Sequence, residues 1–214
     1  MNLLSYTREM PSCILLPLQK SQRQIPMKSN LRKKYKALRE TLSAETIEER
    51  SLEIANKSLE LPIWEGSFYH LFLSISEKKE IDTEPILHIL QGKDKNVVLS
   101  KTDFASTSMK HYLLTDGTII KTNKWGIPEP VDGIEIPANK IDVVFVPLLT
   151  FDLDGHRVGY GKGFYDIFLS QCRKDVVKVG LSLFQPEVKI TGIQENDVPL
   201  DFCVTPTRIY NFKK

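Results

Sequence analysis

The chain has 214 residues, enough for one domain with a substantial core. Its 41% hydrophobic and 26% charged residues are the balance of a soluble globular protein, and no apolar run approaches the about 20 residues of a membrane span, so a membrane partner is not expected. A net charge of +2 is too small to argue for nucleic acid, and Cys13, Cys172 and Cys203 are too few and too far apart for a disulfide framework or a zinc knuckle, which points to a reducing, cytoplasmic setting.

Residues 1–26 hold Ile14-Leu15-Leu16 between Pro11 and Pro17, too short and Pro-broken for a signal-peptide core. They are read as a leader that is disordered or untranslated, with 27–214 as one catalytic domain. From Ser29 to about Leu42 the apolar residues Leu31, Tyr35, Leu38 and Leu42 recur at helical spacing, with Ser29 or Asn30 as N-cap. Ser43 restarts the pattern, and two helices fill 29–60. The first carries six basic residues from Lys28 to Arg39 and no acidic one. On spacing alone a solvated basic face is favoured, although Lys28 and Arg32, four apart, could clamp a phosphate from one face.

Phe68 to Ile75 reads as a strand, and Asp82 or Thr83 caps a helix with Pro85 in its first turn, running to about Gln91. Strands follow over Asn96–Ser100 and Met109–Leu114. Between Lys124 and Pro130 two prolines within three residues exclude regular structure, and composition makes Trp125 a core plug. Ile141 to Phe151 reads as a buried strand, Phe164 to Leu169 as a short helix, Val176 to Leu183 as a strand, and Phe202–Thr205 with Ile209–Phe212 as a closing pair. Strands alternating with helices point to an α/β sheet containing parallel strands. His70 and His88 fall within predicted core elements, His111 in a strand and His156 at a turn; none has a partner at ligand or triad spacing, and all four are read as structural.

The chemistry concentrates in Arg157-Val158-Gly159-Tyr160-Gly161-Lys162-Gly163-Phe164-Tyr165-Asp166. Three glycines at alternate positions let backbone N–H groups approach a ligand, because no Cβ blocks them and positive φ is free. Arg157 and Lys162 add cations, the aromatic residues add flat surfaces, and Asp166 adds a carboxylate suited to magnesium. These are the parts of a nucleotide site. The later turn Glu195–Asp201 has three carboxylates; either the turn is a solvated acidic one or one of them meets Asp166 at a metal.

The run from Val146 to Asp166 resembles the signature of the 5-formyltetrahydrofolate cyclo-ligases, also called 5,10-methenyltetrahydrofolate synthetases. Four further blocks match in order: Lys28-x-x-x-Arg32, Glu80–Glu84, Trp125–Pro130 and Asn196-Asp197. The resemblance implies a single α/β domain, its central mixed, mostly parallel sheet flanked by helices on both faces. It implies ATP-driven closure of 5-formyltetrahydrofolate to 5,10-methenyltetrahydrofolate, both small molecules; a monomer is the default expectation. ATP would be held by Lys28, Arg32, Arg157, Val158, Gly159, Tyr160, Gly161, Lys162, Gly163, Phe164 and Tyr165, with Arg157 and Lys162 as catalytic cations. Glu80 would bond the pterin; Trp125, Tyr160, Phe164 and Tyr165 would wall its pocket; Asp166 and Asp197 would hold Mg2+.

Several relatives carry Arg where this chain has Tyr160, and many carry a basic residue at the position of Ile167. A folate- or nucleotide-binding protein without catalysis is therefore the alternative. A nucleic-acid-binding module built on Lys28–Arg39 is disfavoured by the acidic helix that follows, Glu45 to Glu49.

Overall fold

The sheet is assembled in an order that reverses direction at its centre, and this reversal positions the site. The computed structural model describes residues 27–213, so the reading of 1–26 as a leader lies outside the described residues. The helices are α1 (Lys28–Glu40), α2 (Ala44–Ser58), α3 (Glu84–Gly92) and α4 (Phe164–Gln171). Strands β1 (Phe68–His70), β2 (Asn96–Asp103), β3 (Ser108–Leu113), β4 (Ile120–Thr122) and β5 (Pro128–Pro130) come first. They are followed by β6 (Val143–Pro147), β7 (Thr150–Phe151), β8 (Arg157–Val158), β9 (Val177–Leu181), β10 (Phe202–Val204) and β11 (Ile209–Asn211).

Seven strands form one sheet in the order β11-β10-β9-β6-β1-β2-β3. The five central strands are mutually parallel, and β3 and β11 close the edges antiparallel to β2 and β10. From β1 the chain builds outward through β2 and β3, then returns to the other side of β1 through β6 and β9. Such a switch point opens a crevice at the carboxyl ends of the strands.

Alternation along β6 explains the two layers. Val143 and Phe145 face one core with Ile54 and Ala55 of α2 and Ile86 and Leu90 of α3. Val144 and Val146 face the other with Phe168 and Leu169 of α4. Helices thus cover both faces, and β6, buried on both, needs a continuous apolar run. A third cluster packs Leu31 and Tyr35 of α1 on Leu149, Val158 and Ile190. No helix of the described residues is long and apolar enough to cross a membrane.

Several sequence expectations are corrected. The Ile141–Phe151 run is not one strand: it leaves the sheet after Pro147, and Thr150–Phe151 form a separate hairpin with β8. The strand at Phe68 ends at His70, because the chain then turns its polar groups to the loop, with Ile75 N donating to Glu80 Oε2 at 3.0 Å and Ser74 Oγ to the Ile81 carbonyl at 2.6 Å. Pro128–Pro130 does form a strand, with β4. Its ladder bonds flank the prolines, Asn123 N to Ile127 O and Val131 N to Ile119 O, so neither missing N–H is needed. Helix α1 starts at Lys28 with Met27 as N-cap and no side-chain cap, whereas Ser43 caps α2 through the Thr46 N–H at 3.2 Å. Leu38 is exposed and Arg39 takes the buried position instead, following Leu31 and Tyr35 at successive four-residue steps. His88 is exposed rather than in the core.

Candidate active site

A cavity of about 620 Å3 opens where the carboxyl ends of the central strands meet the Gly-rich loop. The residues after β1, the late part of β2, the end of β6, one face of α1 and the start of α4 all contribute to its wall.

The loop from β8 to α4 is shaped by its glycines. Gly161 (φ +92°) and Gly163 (φ +77°) sit in the left-handed region, and Gly163 is the N-cap of α4. A Cβ on Gly161 would lie 3.0 Å from the Arg32 guanidinium, which passes across the loop while Nε donates to the Gly159 carbonyl at 3.0 Å. Arg32 therefore lies against Gly161. The first N–H groups of α4 and the cations Lys28, Arg32 and Lys162 line the same cavity, an arrangement suited to an anion. Lys162 is exposed and has no ion-pair partner among the described residues.

Beneath the loop, Arg157 is 9% exposed. Its Nη2 donates to Asp166 Oδ1 at 2.6 Å and its Nη1 to the Val198 carbonyl. Burial lowers the Arg157 pKa from its ordinary value, against the pull of Asp166 and Asp197. Asp197 accepts from Lys28 Nζ and, at 2.6 Å, from Gln194 N. Burial raises its pKa, but these donors outweigh it and hold the carboxyl below its usual range. Asp166 Oδ2 and Asp197 Oδ1 have no hydrogen bond among the described residues, and both side chains line the cavity. This donor set, two partly exposed carboxylates, fits a hard cation such as Mg2+.

A second carboxylate cluster, Asp152, Asp154 and His156, has ligand atoms within 4.8 Å of one another. Asp152 is already saturated: Oδ1 accepts from the N–H groups of Asp154 and His156, and Oδ2 from Ile190 N and the His156 ring. It organises the turn.

Glu80, which also lines the cavity, is 6% exposed. Tyr160 Oη donates to its Oε1 and accepts from Arg39 Nη1 at 2.9 Å. Burial, then the Glu80 charge, raises the Tyr160 pKa; burial does the same for Tyr165, so both phenols stay neutral. Trp125 is 52% exposed and lies against Phe104 with centroids 5.0 Å apart, while Phe104 meets Phe164 edge-on at 5.2 Å. Trp125 is thus a wall of the cavity and no core plug, because the ribbon of β4 and β5 carries its loop to the rim.

The model of the 5-formyltetrahydrofolate cyclo-ligase family matches residues 24–206. The chain belongs to that family. The cyclo-ligase match spans every residue lining the cavity, from Lys28 to Val198. A 5-formyltetrahydrofolate cyclo-ligase of Haemophilus influenzae is 31% identical over 180 residues, covering 81% of this chain and 94% of that protein. A solved 5,10-methenyltetrahydrofolate synthetase from Aquifex aeolicus superposes with a TM-score of 0.67 at 28% identity, covering 87% of this chain and 93% of that one. A Mycoplasma pneumoniae synthetase has the same fold, with a TM-score of 0.67 at 23% identity over 84% of this chain and 98% of that one.

Of the residues the cyclo-ligase resemblance singled out, Lys28, Arg32, Glu80, Trp125, Arg157, Asp166, Asp197 and 159–165 all line the cavity. Val158 is the exception: strand alternation turns it under α1 into the core, with 0% exposure. The sequence reading missed Arg39, Lys36, Lys78 and Phe104, which also line it. For Arg39 a signal existed, the four-residue progression Leu31, Tyr35, Arg39. Lys36, Lys78 and Phe104 carried none, because only the folded chain brings them to the cavity.

Proposed function

We propose that this protein catalyses the ATP-dependent cyclisation of 5-formyltetrahydrofolate to 5,10-methenyltetrahydrofolate, releasing ADP and phosphate. The observation that carries the proposal is one cavity lined by a cationic glycine loop, aromatic side chains and a buried carboxylate. Phosphate and planar heterocycle would meet within it.

The formamide oxygen is too poor a leaving group for direct displacement. In the proposed sequence it attacks the γ-phosphorus of ATP, and ADP departs. The resulting phosphorylated formyl carbon is iminium-like. N10 attacks it, the C–O bond breaks, phosphate leaves with its bonding electrons, and N10 loses its proton to give the amidinium. No enzyme nucleophile is needed, so the residues act by positioning and charge stabilisation.

Lys28, Arg32, Lys162 and the N–H groups opening α4 hold the ATP phosphates. Lys162, exposed and lining the cavity, would follow the transferring phosphoryl group. Arg157 serves indirectly, fixing Asp166. Asp166 and Asp197 would hold Mg2+, which when bound supplies charge neutralisation on the phosphate oxygens. Glu80 accepts from the pterin, and Trp125, Phe164 and Tyr165 pack on it. A cytoplasmic monomer, with 27–214 as the catalytic domain, is the setting we assign; the free thiols of Cys172 and Cys203 support a reducing one.

The deciding experiment mixes purified protein with 5-formyltetrahydrofolate and Mg-ATP and follows the near-ultraviolet absorbance of the methenyl product. Growth of that band is expected, with ADP release dependent on the folate. Tight folate binding without turnover would instead favour a binding protein.

A further inference from the structure

Tyr160 is held by more constraints than a cavity wall requires. Its hydroxyl lies between Arg39 and Glu80, with Arg39 Nη1 at 2.9 Å. Its ring carries Lys78 Nζ 5.1 Å and Lys36 Nζ 5.5 Å from the centroid, within cation–π range. Arg39 is 4% exposed, and its Nη2 donates to the Leu148 carbonyl at 2.6 Å, which fixes the guanidinium.

The direction of these hydrogen bonds follows from donor counting. Arginine only donates, so the Tyr160 oxygen accepts from it. Tyrosine has one proton, and the remaining polar neighbour is Glu80 Oε1, so that proton goes to Glu80. Glu80 Oε2 accepts from Ile75 N at 3.0 Å. A proton on Glu80 pointing toward Tyr160 would give that oxygen two donors and leave its own hydrogen without an acceptor inside a buried cluster. Both Glu80 oxygens are therefore acceptors, each with a lone pair left. Glu80 lines the cavity, so a ligand bound there can reach its carboxylate.

From this geometry we infer that Arg39 and Tyr160 form a one-way hydrogen-bond relay that keeps Glu80 an acceptor on both oxygens, selecting ligands with two adjacent N–H donors. The inference rests on the functional reading above and deepens it. In a pterin the matching edge is a ring N–H beside an exocyclic amine. Tyr160 and Arg39 are positioning residues, acting on the ligand through Glu80.

The test compares binding of 5-formyltetrahydrofolate and its 2-desamino analogue by calorimetry, in the unaltered protein and in Tyr160→Phe, which keeps the ring. The unaltered protein should prefer the natural compound roughly a hundredfold, because the analogue leaves a buried acceptor unpaired. Tyr160→Phe should reduce this preference to about tenfold or less. A purely structural role would lower both affinities together and leave the ratio intact, and an unchanged ratio overturns the relay. Failure of the unaltered protein to bind 5-formyltetrahydrofolate would overturn the functional reading instead. The relay is then judged on the ligand-free protein, where proton NMR should show a downfield phenolic resonance that is missing in Tyr160→Phe and moves upfield in Glu80→Gln. Absence of that resonance overturns the donor direction whatever the ligand.

Discussion

Lys162 and Asp166 stand four residues apart in sequence and do opposite kinds of work. Lys162 is exposed and unpaired among the described residues, so Lys162→Ala should change thermal stability by no more than about 0.5 kcal/mol. A charged hydrogen bond to phosphate contributes roughly 1.5–3 kcal/mol, so the same variant should lose about ten- to a hundredfold in kcat/KM for ATP. Circular dichroism and ATP titration check the two halves, and collapse of the fold would make the loop structural. Asp166 is tied to the buried Arg157 and leaves one oxygen open. Asp166→Asn should raise the Mg2+ concentration for half-maximal activity by about tenfold or more, read by metal titration of the steady-state rate. An unchanged titration refutes the metal role. At this scale residue identity announced the loop, since glycines and cations in ten residues restrict the chemistry. It did not announce Arg39 or Trp125, because a guanidinium reads as surface and an indole as core unless the partners that reverse those preferences are known.

The Gly-rich loop behaves as an element, shaped by backbone angles and by what crosses it. Gly161→Ala places a Cβ 3.0 Å from the Arg32 guanidinium at φ +92°. Strain in that region costs on the order of 1–3 kcal/mol, and Arg32 must move off the loop. We expect a lower melting temperature and a weaker ATP affinity together, measured by calorimetry and titration. Loss of neither would mean that the loop relaxes elsewhere. Element type and order were legible for the helices, whose periodicity reports a buried stripe. The ends of β1 and β6 were not, because an apolar run continues whether its backbone pairs with a strand or leaves the sheet. The Pro128–Pro130 strand was hidden for a related reason: the prolines forbid a strand only where the ladder needs their donors, and the register of β4 decides that.

In the whole molecule, His70 and His111 are buried on either side of Ser100, with His70 Nε2 at 2.7 Å and His111 Nδ1 at 2.9 Å from its hydroxyl. Burial pushes His111 down to about 4 from an ordinary 6.5. Burial and then the neighbouring His111 push His70 in the same direction. The unfolded chain thus takes up protons near pH 6.5 that the folded chain refuses, so stability present above pH 6.5 falls as the pH approaches 4. His111 alone accounts for roughly 3 kcal/mol of that loss. Denaturant titrations should show the midpoint dropping across this window, with a flatter dependence in His111→Phe. The same slope in that variant would remove His111 as a cause.

By itself the sequence determined that this is an α/β chain with a Gly-rich, cationic loop between a strand and a helix. Periodicity and local glycine geometry depend on neighbours along the chain, and those are written in order. Only the tertiary structure decided which side chains meet: Arg39 with Tyr160 and Glu80, Lys28 with Asp197, Trp125 with Phe104. These pairs join segments up to 169 residues apart, and their geometry exists only once the sheet has set β1 beside β6.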